Sequence, residues 1–114
     1  MPKQMLLILA LAVITASAII ALSQTNPAPV KKSQIDTAVN QAKLLYNSEK
    51  QRGRDFSNGP CLSNALMPGW VVDIAHNPRQ EIDNLVENQC AAFVEGSAQH
   101  FVELDINGNL IRAK

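Results

Sequence analysis

Met5 to Leu22, MLLILALAVITASAIIAL, is a run of eighteen residues without a charge, preceded only by Met1-Pro2-Lys3-Gln4. As a helix it would rise about 27 Å, close to the roughly 30 Å hydrocarbon thickness of a bilayer and longer than the usual apolar region of a signal peptide. Residues 1–23 therefore read as a signal anchor. Ala21-Leu22-Ser23 before Gln24 also offers the small residues of a cleavage site, so a signal peptide removed near Ser23 is the alternative. Either fate makes residues 5–22 the membrane partner and places the rest of the chain outside a cell membrane, single-pass if anchored and secreted if cut. Lys3 on one flank is balanced by Lys31 and Lys32 on the other, so charge alone orients the segment only weakly.

Once this run is set aside, about ninety residues remain, near the lower limit for a core that needs no added constraint. Aromatic residues make up 4% of the chain, so Tyr46, Phe56, Trp70, Phe93 and Phe101 must supply much of the buried area. The formal net charge of zero argues against a general nucleic-acid binder. Charge is nevertheless uneven. Lys31 to Arg54 holds six bases against Asp36 and Glu49, whereas the chain from Asp55 onward holds eight acids against Arg79, Arg112 and Lys114. The basic stretch reads as a solvated helix face or as one drawn to anionic headgroups.

Ser23 to Lys32 is a spacer by composition, since Pro27 and Pro29 remove backbone donors and fix φ; the linker is taken as residues 24–32. Ser33 with Asp36 has the look of an N-cap, and Ile35, Ala38, Val39, Ala42, Leu45 and Tyr46 form one apolar stripe of helical period. The helix should end at Arg52 or Gly53. Short apolar pieces, Cys61-Leu62-Ser63 and Ala65-Leu66-Met67, stop at Pro68-Gly69. Trp70 to Ala75 has the β-branched and aromatic character of a strand. His76 to Gln89 is polar and irregular, Gln89 to Glu95 and His100 to Leu104 read as strands, and Asn107-Gly108 marks a hairpin into Leu110-Ile111-Arg112. The expected fold class is α+β: an N-terminal transmembrane or signal helix, then one amphipathic helix packed on a three- or four-stranded antiparallel β-meander within residues 33–114.

Cys61 and Cys90 are the two cysteines, and in an exported chain an even pair reads first as a disulfide. Their spacing is not that of a CxxC redox motif. A hydrolytic reading would recruit a cysteine with His76 or His100 as base and Asp73 as orienting carboxylate, and a metal reading would use His76 with Asp73 or Glu81. No spacing selects either set. Asp105-x-Asn107-Gly108-Asn109 begins like a calcium loop, but no acid follows Asp105 to close it. No catalytic, metal or cofactor residue is assigned. Long polar loops on rigid scaffolds often carry recognition, so the expected contact surface is Trp70 with His76, Arg79 and Asp83, and the expected partner is a protein of the cell envelope.

The segments DFSNGPCLS from Asp55, WVVDIAHNPRQ from Trp70, ENQC ending at Cys90, and HFVELD with NGNLIRA resemble a family of small bacterial exported or single-pass membrane proteins of uncharacterised activity. The resemblance spans most of residues 37 to 113 and implies localisation and a common fold, with no chemistry attached. The order of elements also resembles type IV pilins and pseudopilins in outline. Their processing glycine and the glutamate of the mature helix are absent from the apolar run, and Pro27 and Pro29 interrupt the long helix. The expectation is a small disulfide-stabilised binding or structural module of the envelope. A pilin-like assembly subunit and a small extracytoplasmic hydrolase or metal-binding protein stand as alternatives.

Overall fold

A computed structural model describes residues 29–114. The apolar run and most of the spacer lie outside the described residues, and among those described no helix is long and apolar enough to cross a membrane. Helix α1 spans Lys32–Gln51 and buries Ala38, Ala42 and Tyr46, with Ile35, Val39 and Leu45 partly buried beside them. This is the stripe expected from the 3.6-residue period. The helix starts two residues earlier than expected, with Lys31 rather than Ser33 at the N-cap. The side chain of Gln34 accepts from the Lys31 backbone N–H (3.2 Å), while Ser33 lies inside the first turn and its carbonyl accepts from the Thr37 hydroxyl (2.9 Å). At the other end Gly53 N–H donates to Lys50 O and Arg54 N–H to Glu49 O, the paired bonds of a Schellman stop.

Four strands follow, β1 (Cys61–Met67), β2 (Trp70–Ile74), β3 (His100–Leu104) and β4 (Leu110–Ala113), in the spatial order β1-β2-β3-β4. Both hairpins are antiparallel, but the central pair is parallel, with Trp70 opposite His100 and Asp73 opposite Glu103. The expected antiparallel meander is corrected on this point to a mixed sheet. A parallel neighbour requires the chain to return to the starting end of β2, so residues 75–99 form a crossover. Gln89 to Glu95, expected as a strand, is part of that crossover and coils into the short helix α2 (Ala91–Val94), with two 3-10 turns ahead of it at Glu81–Asn84 and Val86–Asn88.

Strand alternation divides the side chains between two faces. Trp70, Val72, Ile74, Val102 and Leu104 are buried against α1 together with Phe56 and Leu62, and Tyr46 stacks on Phe56 with ring centroids 4.7 Å apart. The Tyr46 hydroxyl donates to Ile106 O (2.7 Å), tying the helix to the β3–β4 hairpin. Gly108 in that hairpin has φ +84°, and a Cβ there would meet Tyr46 Cε1 at 2.6 Å, so the turn needs glycine both for its backbone and for its closeness to the ring.

The opposite face carries a second, smaller cluster. Val71, Cys90 and Ala98 are buried there, with Cys61, Ala92 and Phe101 packed around them. Cys61 and Cys90 form a disulfide with Cα atoms 4.9 Å apart, and Asn64 Oδ1 accepts from Ala92 N–H (3.0 Å). Both links fasten the crossover to β1. The crossover thus covers the β1–β2 side of this face, while Phe101 and Arg112 on the β3–β4 side stay partly open.

Candidate functional site

Where the covered half of this face meets the open half, a cavity of about 200 Å³ is lined by Val71, Asp73, Phe101, Glu103 and Arg112 of the sheet and by Arg79, Gln89, Cys90, Phe93 and Val94 of the crossover. One wall is apolar. Phe93 and Phe101 meet edge to face with centroids 5.2 Å apart, and Phe93 and Val94 remain exposed despite their size. The other wall is ionic. Register puts Asp73 and Glu103 side by side, and Arg112 opposite Glu103.

Glu103 is buried and fully engaged. Its Oε2 accepts from Arg79 Nη1 at 3.1 Å, and its Oε1 lies 3.4 Å from Arg112 Nε. Arg79 is held further by Asn84 Oδ1 at Nε (2.8 Å) and by Asp83 O at Nη2 (3.3 Å), and the Arg112 guanidinium lies 5.2 Å from the centre of the Phe101 ring. Asp73 is different. Its Oδ1 is buried without a hydrogen-bond partner. Burial first, then the charge of Glu103, pushes its carboxyl up to about 7, against the opposing pull of Arg79. Near neutral pH this group exchanges between acid and carboxylate.

Asp83 has the opposite surroundings and the opposite behaviour. It is 1% exposed, its Oδ2 accepts from the backbone N–H groups of His76 (3.0 Å) and Gln80 (2.9 Å), and its Oδ1 pairs with His76 Nδ1 at 2.9 Å. Burial opposes ionisation here too, but the Gln80 and His76 bonds outweigh it and hold the carboxyl below the usual aspartate range. A Cβ on Gly59 would run into Asp83 Oδ1, so glycine there keeps the place of this carboxylate open. Asp83 organises residues 76–83 and thereby presents Arg79.

The expected contact residues are therefore separated. Arg79 lines the cavity. Trp70 is 4% exposed in the helix-side core, stacked on His100 at 5.0 Å, and Asp83 is buried beneath its own loop. His76 belongs to a different hollow, with Asn77, Pro78, Gln80, Asp105, Ile106 and Asn107, which no hydroxyl or thiol side chain lines. The cysteines expected as a pair are joined, so neither is a thiol nucleophile in this state. Among the described residues no group of three His, Cys, Asp or Glu side chains converges to hold a metal ion.

Sequence reasoning passed over Glu103, Phe93, Phe101 and Arg112 as site residues and met Asp73 only as a helper to other groups. A signal was present: Trp70-Val-Val-Asp-Ile and His100-Phe-Val-Glu-Leu each set an acid at the fourth position of a strand, between apolar neighbours. Pairing the two strands in parallel and in register is what brings the acids together, and periodicity within one strand does not reveal that. Compared with protein-family models, with curated proteins and with solved structures, the chain matches none of them.

Proposed function

We propose that this chain is a small extracytoplasmic binding module, disulfide-stabilised and exported or tethered by residues 5–22, which receives its ligand on the sheet face opposite α1. The observation that carries the reading is Asp73, a carboxyl left without a hydrogen-bond partner at Oδ1 on the wall of a cavity whose other charged groups are all paired. Buried polar groups in folded domains are nearly always satisfied, and an exception beside a cavity is best served by a ligand. Exposed Phe93 and Val94 add the apolar contact that small-molecule sites use, with a few polar groups to fix orientation. Export agrees with the disulfide, which an oxidising compartment maintains.

The test is a fragment titration of the full chain followed by amide NMR, using neutral, cationic and anionic compounds built on one aromatic ring. Binding at this face shifts the amides of Val71, Gln89 and Phe101 for at least one class. Shifts confined to other residues, or none for any class, would remove the reading.

A further inference from the structure

We propose, resting on the reading above, that the ligand group received beside Asp73 is an organic ammonium carried on an apolar body of about the size of one amino-acid side chain. Size comes from the cavity. Pockets that enclose drug-sized molecules begin at roughly 300 Å³, and about 200 Å³ admits one ring or one short aliphatic chain.

The sign of the charge follows from an inventory of the groups around Asp73. Glu103 faces it from β3, Asp83 lies in the first 3-10 turn, Arg79 comes from the crossover and Arg112 from β4. Cys61 and Cys90 do not titrate, being joined. With Asp73 ionised, the cavity itself is lined by two carboxylates and two guanidiniums. Glu103 takes both guanidiniums, one on each oxygen, and Asp83 is served by His76 and by two backbone N–H groups. Pairing is uneven rather than short of cations: both guanidiniums go to Glu103, and Asp73 is the acid left without a partner.

An anionic ligand fits this geometry poorly. It would have to approach two neighbouring acids; Arg79 already spends Nε, Nη1 and Nη2 on Asn84, Glu103 and Asp83, and Arg112 is turned to Glu103 through Nε and lies over the Phe101 ring. An ammonium group gives Asp73 the charged donor it lacks, while Phe93, Phe101 and Val94 take the apolar body. The proton on Asp73 and the ligand then compete for the same carboxyl, so affinity rises with pH through about 7.

The experiment measures binding of 2-phenylethylammonium, 3-phenylpropionate and 2-phenylethanol to the full chain at pH 5.5 and 8.5 by calorimetry and amide NMR. The expected result is that the ammonium compound shifts the cavity amides and binds about thirtyfold more tightly at pH 8.5, the ratio set by protonation of a group titrating near 7. Asp73→Asn, which keeps the side-chain shape, abolishes both the binding and its pH dependence. Equal affinity at the two pH values, or unchanged binding to Asp73→Asn, overturns the proposal. Preference for the propionate or the alcohol also overturns it while leaving the binding face intact. Silence of the cavity toward all three, as toward the wider fragment set, takes both readings down.

Discussion

Asp73 and Glu103 are direct register partners on the parallel pair β2 and β3, so two carboxyl groups share one face of the sheet, and only Glu103 is supplied with guanidinium partners. That inequality governs the electrostatics of the whole face.

It makes stability fall as pH rises. Folded Asp73 keeps its proton up to about pH 7, whereas an unfolded aspartate releases it near 4, so its contribution is full below about 4, declines between about 4 and 7 and is then gone. The amount is on the order of 4 kcal/mol at most. Asp83, whose folded carboxyl is held low, acts in the other direction: its contribution is present above about pH 4 and is lost on further acidification. Urea unfolding of the wild-type chain should show a decline from pH 5 to pH 8 that Asp73→Asn largely removes. Equal declines in the two proteins would mean that Asp73 is ordinarily ionised.

Glu103→Gln should lower the titration midpoint of Asp73. The substitution deletes the neighbouring negative charge and releases Arg79 and Arg112 to approach the remaining acid. Side-chain carboxyl NMR in the two proteins reads this directly, and an unmoved midpoint would show that the two acids are not coupled.

Gly108→Ala tests how the β3–β4 hairpin docks on α1. The substitution adds a Cβ at φ +84° and drives it against the Tyr46 ring, whereas Gly96→Ala has the same φ with nothing within 4 Å. Gly96→Ala should cost about 1 kcal/mol for backbone strain, and Gly108→Ala roughly 1–3 kcal/mol more for the collision. Equal losses in chemical denaturation would place the hairpin away from Tyr46.

The disulfide encloses residues 61 to 90, including all of β2 and most of the crossover. Closing a loop of that length is worth about 3.6 kcal/mol on the chain-entropy account, and Cys90 also lines the cavity. Replacing both cysteines with alanine should lower stability by roughly that amount and weaken ligand binding. Intact-mass analysis of protein from membrane and medium, with and without reduction and alkylation, should find the pair oxidised and report whether residues 1–23 are retained. Free thiols in the native protein would contradict export.

Local signals made much of the fold legible. The stripe from Ile35 to Tyr46, the stop at Gly53, the strand at Trp70 and the turn at Asn107-Gly108 each express a short-range rule, and each stands in the structure. The sheet order was not legible in the same way. Cys90-Ala-Ala-Phe-Val is as apolar as a strand, and its short helix results from the crossover that returns the chain beside Trp70. The site depended on that same long-range pairing, so Asp73 and Glu103 looked like two isolated acids. Trp70 reads as a contact only through its association with the polar loop that follows its strand, and strand alternation turns it toward α1 with Val72, stacked on His100 of the neighbouring strand.

The most direct test of the account is the titration of the Asp73 carboxyl itself, followed by side-chain NMR in the full chain with and without saturating 2-phenylethylammonium. The account predicts a midpoint of about 7 in the free protein that falls when the ammonium is bound, because the ligand selects the ionised form. A midpoint near 4 in the free protein, unaffected by the ammonium, would contradict it.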